Sequence, residues 1–253
     1  MKALATRLQG VGFVLTELLV AGLAATILLL GIVQMATASS RALNLVESVS
    51  EAQQGGRFAL AQLRDAVMSA GFNPRPWTGN AAALGLSMDS MDGGDGGSDV
   101  LVVRELSDRN CFGNLNPALD EGGRPDFFLR ERTLERSASS NLALSCFFGP
   151  PGGSMVRQIN REGLVQRVES FQLLFAEDSD GDGKADRRVR AGRWVDVSRI
   201  LGVDIGLLLA TQDPIGNPVS SPLTVLDQSL TPHRDGRLRR VWRATYPIVS
   251  KLR

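Results

Sequence analysis

From Phe13 to Met35 the chain is an apolar run whose only side chains hostile to hydrocarbon are Glu17 and, near the far end, Gln34. A helix rising ~1.5 Å per residue over this stretch spans the ~30 Å core of a bilayer. Residues 13–36 are therefore predicted to cross a membrane. Beyond them Leu43, Val46 and Val49, then Phe58, Leu60, Leu63 and Val67, approximate a helical stripe. Arg41, Glu47, Glu51, Arg57, Arg64 and Asp65 fall mainly between these apolar positions. Gly55-Gly56 is a local weak point at which the rod could bend or be interrupted, since each glycine costs ~1 kcal/mol relative to alanine. Gly71, followed by Pro74 and Pro76, stops it, so the predicted helix covers 13–72.

The pattern then changes to short apolar runs. Asp99 to Arg104 reads as a buried strand. Phe127-Phe128-Leu129, Asn141 to Phe148, Val165 to Phe175, Trp194 to Leu209 and Leu238 to Val249 are further strand candidates, with one or two of them open to a helical reading. The glycine and aspartate run from Asp89 to Ser98 is expected to be a surface loop, too polar to pack, and its glycines fit neither a P-loop nor a dinucleotide fingerprint. One long helix followed by many short strands predicts an α+β architecture: a membrane-spanning N-terminal helix packed on a β-rich globular head over 73–253.

Ahead of the apolar run lies a leader with Lys2 and Arg7 and no acidic residue, which favours a cytoplasmic start and an exported remainder. A secretory signal peptide also begins with basic residues, but its cleavage site follows a shorter apolar region. Here the segment Gly10-Val11-Gly12-Phe13-Val14-Leu15-Thr16-Glu17 precedes it. That arrangement resembles a type IV pilin precursor. The resemblance implies that residues 1–12 are a leader removed by a prepilin peptidase after Gly12, that Phe13 is then N-methylated, and that Glu17 meets the N-terminus of a neighbouring subunit during filament assembly. An uncleaved single-pass anchor would leave Glu17 unexplained, because an ionisable group in lipid costs ~2.5–3.5 kcal/mol on insertion scales. No proline occurs between residues 13 and 73, unlike the helix of many major pilins.

Glu51 to Leu60, Leu63-Arg64-Asp65, Met68 to Phe72, Ser98 to Leu101 and Asp235 to Val241 are similar to PilW-type minor pilins. This second resemblance implies a structural protein of type IV pilus assembly, working in a minor-pilin complex that initiates or caps the filament. The partners it implies are other minor pilins, the major pilin, the inner-membrane assembly platform and a tip adhesin. The implied location is the bacterial inner membrane with a periplasmic head, and after assembly the cell-surface pilus. The alternative is a J-type pseudopilin of a type II secretion system; a membrane-tethered hydrolase is a more distant one.

Removing Lys2 and Arg7 with the leader takes the formal charge from +1 to −1, so overall charge points to no nucleic-acid partner. The cluster Arg234, Arg237, Arg239, Arg240 and Arg243 could touch a polyanion, but reads better as the wet face of a terminal strand packed through Leu238, Val241, Trp242 and Tyr246. Cys111 and Cys146 fall in the exported part, where they are read as a structural disulfide, with two free thiols as the alternative. In Asp178-Ser179-Asp180-Gly181-Asp182-Gly183-Lys184-Ala185-Asp186, alternate aspartates and the Lys184 carbonyl could surround one Ca²⁺ as a structural cofactor. The twelfth position is Val189, where an EF-hand has a bidentate glutamate, and the alternative is a solvated Asp-Gly turn between strands. No catalytic motif surrounds the single histidine, His233, so the chain is expected not to be an enzyme.

Overall fold

The computed structural model describes residues 15–75, 84–150, 157–158, 162–215 and 221–251. The chain divides into two compact units, one ending at Glu47 and the other beginning at Ser48. Helix α1 (Leu15–Ser69) contributes to both. Every residue of α1 from Leu15 to Glu47 is exposed, whereas Gly56, Ala59, Leu63, Ala66 and Val67 belong to the buried side of the second unit. The head thus includes the last turns of a helix that sequence patterning assigned wholly to the stem.

The weak point at Gly55-Gly56 does not interrupt the helix; α1 runs through both residues. The reason is packing. A Cβ on Gly56 would lie 2.2 Å from Cε2 of Trp242, and one on Gly55 would lie 3.2 Å from Cγ1 of Val165. The missing side chains let the helix approach the sheet, and burying an indole there offsets the low helix propensity of the glycines. The helix stops where Gly71 turns to φ +75, a conformation that costs glycine little. Gly71 N then donates to the Arg104 carbonyl at 2.8 Å, and Leu106 N donates to that of Phe72 at 2.9 Å, which ties the exit to a strand.

The head is antiparallel β-structure. Strands β1 (Gly85–Leu86), β2 (Val100–Ser107), β3 (Phe128–Arg136), β4 (Leu142–Gly149) and β5 (Arg157–Gln158) lie in chain order in one sheet, with β6 (Glu162–Val165) also on β4. A second sheet has the order β12 (Arg239–Pro247), β9 (Ile200–Ala210), β7 (Val168–Glu177), β8 (Arg187–Val189), and β10 (Leu223–Val225) pairs with β11 (Gln228–Leu230). Among the described residues all the long strand candidates are strands. The helical pieces are short 3₁₀ turns, including Val197–Arg199, where Asp196 Oδ1 accepts from Ser198 N at 2.8 Å and ends the expectation of a strand starting at Trp194.

Leu63, Ala66 and Val67 of α1 share one core with Phe171, Leu173 and Phe175 of β7, Val203, Ile205 and Leu207 of β9, and Leu101 and Val103 of β2. Polar contacts fix the helix to the first sheet as well. Buried Glu105 accepts from Arg130 Nε at 2.7 Å and from Arg132 Nη2 at 3.3 Å, while Arg132 also donates to Ser69 Oγ and to the Asp65 carbonyl. Contrary to expectation, the Asp89 to Ser98 loop packs in part. Ser90 is 3 % exposed, and its hydroxyl accepts from Val102 N at 2.9 Å; Gln228 bridges the same loop through Gly96 N and the Gly94 carbonyl. Hydrogen bonds there replace the apolar contacts that the sequence lacks.

Candidate functional site

The stem is a site in the sense that its surface requires a partner. Leu18, Leu19, Val20, Leu23 and Ile27 are all more than 60 % exposed, within an apolar surface that runs around the helix. Such a surface is stable only when lipid or other apolar helices cover it. Its polar side chains are handled locally: Thr26 Oγ1 donates to the Leu23 carbonyl at 2.8 Å and Thr37 Oγ1 to that of Gln34 at 2.9 Å. Glu17 stands in the first turn of described helix, next to Leu18 and Leu19. Gly12 and Phe13, the expected processing positions, lie outside the described residues.

The acidic segment closes the hairpin between β7 and β8, whose last pair is Glu177 with Arg187. Glu177 anchors its base. Burial disfavours its charge, but a 2.8 Å hydrogen bond from Arg187 and backbone N–H groups of Val195 and Asp196 outweigh this and hold the carboxyl below its ordinary range. Asp178 accepts from Gly181 N at 2.5 Å and Gly183 N at 2.9 Å, and Asp186 accepts from Ser179 N at 2.7 Å and Ser179 Oγ at 2.8 Å. Gly181 and Gly183 have φ of +87 and +85, which the tight wrap requires. The Asp178 carboxyl is also lowered: burial opposes the charge, and the Gly183 and Gly181 N–H groups win. In Asp186 the Ser179 hydroxyl is the main cause of the lowering.

Carboxylate oxygens of Asp178, Asp180 and Asp186 lie within 4.8 Å of one another. Asp182 is not in this group; it accepts from Lys184 N at 2.8 Å and lies 3.7 Å from Lys184 Nζ. Alternation along the sequence suggested equivalent roles for the aspartates, but the turn uses Asp182 to cap its own backbone. Three carboxylates gathered this closely fit a hard, oxygen-seeking divalent cation of the Ca²⁺ type, which takes six to eight oxygens and so needs further ligands from backbone or water.

Cys111 and Cys146 are joined by a disulfide with Cα atoms 5.9 Å apart. It fastens the excursion between β2 and β3 to β4, and Phe112 and Phe128 pack edge-on against Phe148 beside it. The C-terminal basic cluster does not form one wet face. The Arg239 side chain is 5 % exposed and ion-paired to Glu169 and Asp235, Arg240 lies over the Trp242 ring, and Arg243 donates to the Thr224 carbonyl. Sequence inspection missed the Arg239 pair because Glu169 is on another strand; the only local signal was Asp235 four residues before Arg239.

Residues 138–249, from the turn before β4 to just past β12, match the model of a family described as Type IV Pilus-assembly protein W. Among solved structures the chain is similar to a type IV-like pilin from Thermus thermophilus, with 16 % sequence identity, a TM-score of 0.47, and coverage of 83 % of this chain and 97 % of that one. No curated protein sequence matches.

Proposed function

We propose that this chain, whose residues 138–249 match the family described as Type IV Pilus-assembly protein W, is a minor pilin in the complex that initiates or caps the filament. The carrying observation is the exposed apolar stem with Glu17 near its start. In the membrane, lipid covers that stem; in a filament, stems of other minor pilins and of the major pilin replace lipid. A prepilin peptidase cuts after Gly12, Phe13 becomes the methylated N-terminus, and its amine faces a Glu17 carboxylate of a neighbour, which removes much of the cost of a charge in hydrocarbon. The head stays in the periplasm until assembly, where its surfaces select neighbours, the assembly platform and a tip adhesin. The protein's work is association.

The hairpin of Asp178, Asp180 and Asp186 binds Ca²⁺ structurally in this reading, with affinity on the order of 10⁻⁴–10⁻³ M as in extracellular modules. Calorimetry of the full chain should show uptake at millimolar calcium that Asp178→Asn with Asp186→Asn abolishes. No uptake by the wild type removes the cation from the account.

The assembly role is tested by surface pilus yield in a clean deletion strain, measured beside the secreted proteins. Lost pili with normal secretion, restored by the wild-type chain, is the expected result. Normal pili with failed secretion would move the protein to the J-type pseudopilins.

A further inference from the structure

Between the β3–β4 turn, the start of β7, the end of β9 and the segment ahead of β12 lies a cavity of about 340 Å³. Arg136, Arg167 and Arg237 line it together with His233. Its acidic residues, Glu169 and Asp235, are already taken by one cation. Arg239 donates to both oxygens of Glu169 at 2.7 and 2.8 Å, and to those of Asp235 at 2.8 and 3.0 Å. The Arg239 hydrogen bond holds Asp235 down at about 2, so this carboxylate remains charged and committed.

The lining arginines are differently placed. Arg136 donates from Nε to the Val168 carbonyl at 2.8 Å and from Nη2 to Ser140 Oγ at 3.0 Å, and Arg167 donates from Nε to Gln212 Oε1 at 3.0 Å. These acceptors are neutral. Arg237 has only a 3.5 Å ion pair with Asp235, and its buried Nε has no hydrogen-bond partner among the described residues. With Arg239 counted, four guanidinium groups stand against two carboxylates around the cavity, a net charge of +2 from these six groups.

The backbone carries a second, independent mark. Ser140 and Arg167 line the cavity and both have φ of +60, a conformation that non-glycine residues rarely adopt and that collects at ligand clamps. They are held together, since Val168 N donates to the Ser140 carbonyl at 2.7 Å while Arg136 reaches across to both segments. A planar fork of N–H donors matches the paired oxygens of a carboxylate or phosphate.

We propose that this cavity binds a small oxyanion-bearing molecule, with its carboxylate or phosphate group seated among Arg136, Arg167 and Arg237. The volume is at the small end of ligand pockets and accommodates a molecule of one ring or less. The reading is independent of the pilus role.

Calorimetric titration of the full chain in an uncharged detergent tests it, using glucuronate, glucose and inorganic phosphate as probes. Glucuronate or phosphate should bind with a Kd of about 1 mM or tighter while glucose does not; which of the two anions binds identifies the oxyanion. Arg136→Gln and Arg167→Asn should each weaken binding at least about tenfold, as expected for loss of a charge-assisted pair. Asparagine tolerates the positive φ at position 167, so this variant tests the charge even if Arg136→Gln does not fold. Arg188→Gln, which removes a pair with Asp204, should leave binding unchanged. Absence of binding of either anion to the wild type at about 10 mM, or equal binding to wild type and Arg167→Asn, would overturn the proposal.

Discussion

Gly22 and Gly56 lie on the same helix and meet opposite surroundings. A Cβ on Gly22 would touch nothing within 4 Å, whereas one on Gly56 would run into the Trp242 indole. The two positions summarise the two units: the residues up to Glu47 satisfy almost none of their apolar surface within the chain, and those from Ser48 onward bury theirs against their own strands. Stability of the second unit is an internal property. The first unit exposes its apolar surface and needs a cover from outside the chain.

The three tryptophans, Trp77, Trp194 and Trp242, all follow Ser48, so their fluorescence reports on the second unit alone in unfolding experiments on the detergent-solubilised full chain. The largest loss is expected for the double change Cys111→Ser with Cys146→Ser. Removing a bridge with a sequence separation of 35 residues should cost ~4 kcal/mol on the loop-entropy account, visible as a lower denaturant midpoint. Gly56→Ala should cost ~1–3 kcal/mol by overpacking against Trp242, despite a gain of ~1 kcal/mol in helix propensity. The same substitution at Gly22 should leave the fluorescence transition in place, and a comparable loss there would end the distinction between the units.

A smaller effect is expected from pH. Asp99 is buried, and this desolvation raises its carboxyl to about 6, although the N–H groups of Gly93 and Leu173 oppose the shift. The native state therefore holds the proton more tightly than the unfolded chain. Its contribution is complete below the ordinary aspartate value of 3.8 and is lost as pH rises through about 6. Unfolding free energy measured from pH 4 to 7 should carry a downward component that Asp99→Asn removes. An identical slope in the variant would assign the pH dependence elsewhere.

The apolar run and its single carboxylate were legible from composition alone, and the strand at Asp99 to Arg104 from a short apolar run whose Leu101, Val102 and Val103 are all buried. The strand β3 was legible only at Phe128 and Leu129, since the rest reads Arg-Glu-Arg-Thr-Leu-Glu-Arg and its partner Glu105 lies on β2. Gly55-Gly56 misled for a related reason: local propensity argues for a break, and the opposing term is an indole supplied from β12. In the acidic loop the residue types announced an oxygen-rich turn, but separating Asp182 from Asp178, Asp180 and Asp186 required its backbone path. The arginine cavity was hidden altogether, because Arg136, Arg167 and Arg237 come from three distant segments.

The assembling role of the stem is tested most directly by Glu17→Ala in the full chain, followed by recovery of the protein with filament subunits from cells. The expected result is normal N-terminal processing and an unchanged tryptophan unfolding transition, with incorporation into filaments reduced several-fold. Recovery equal to wild type would contradict the pairing of Glu17 with a neighbouring subunit's N-terminus.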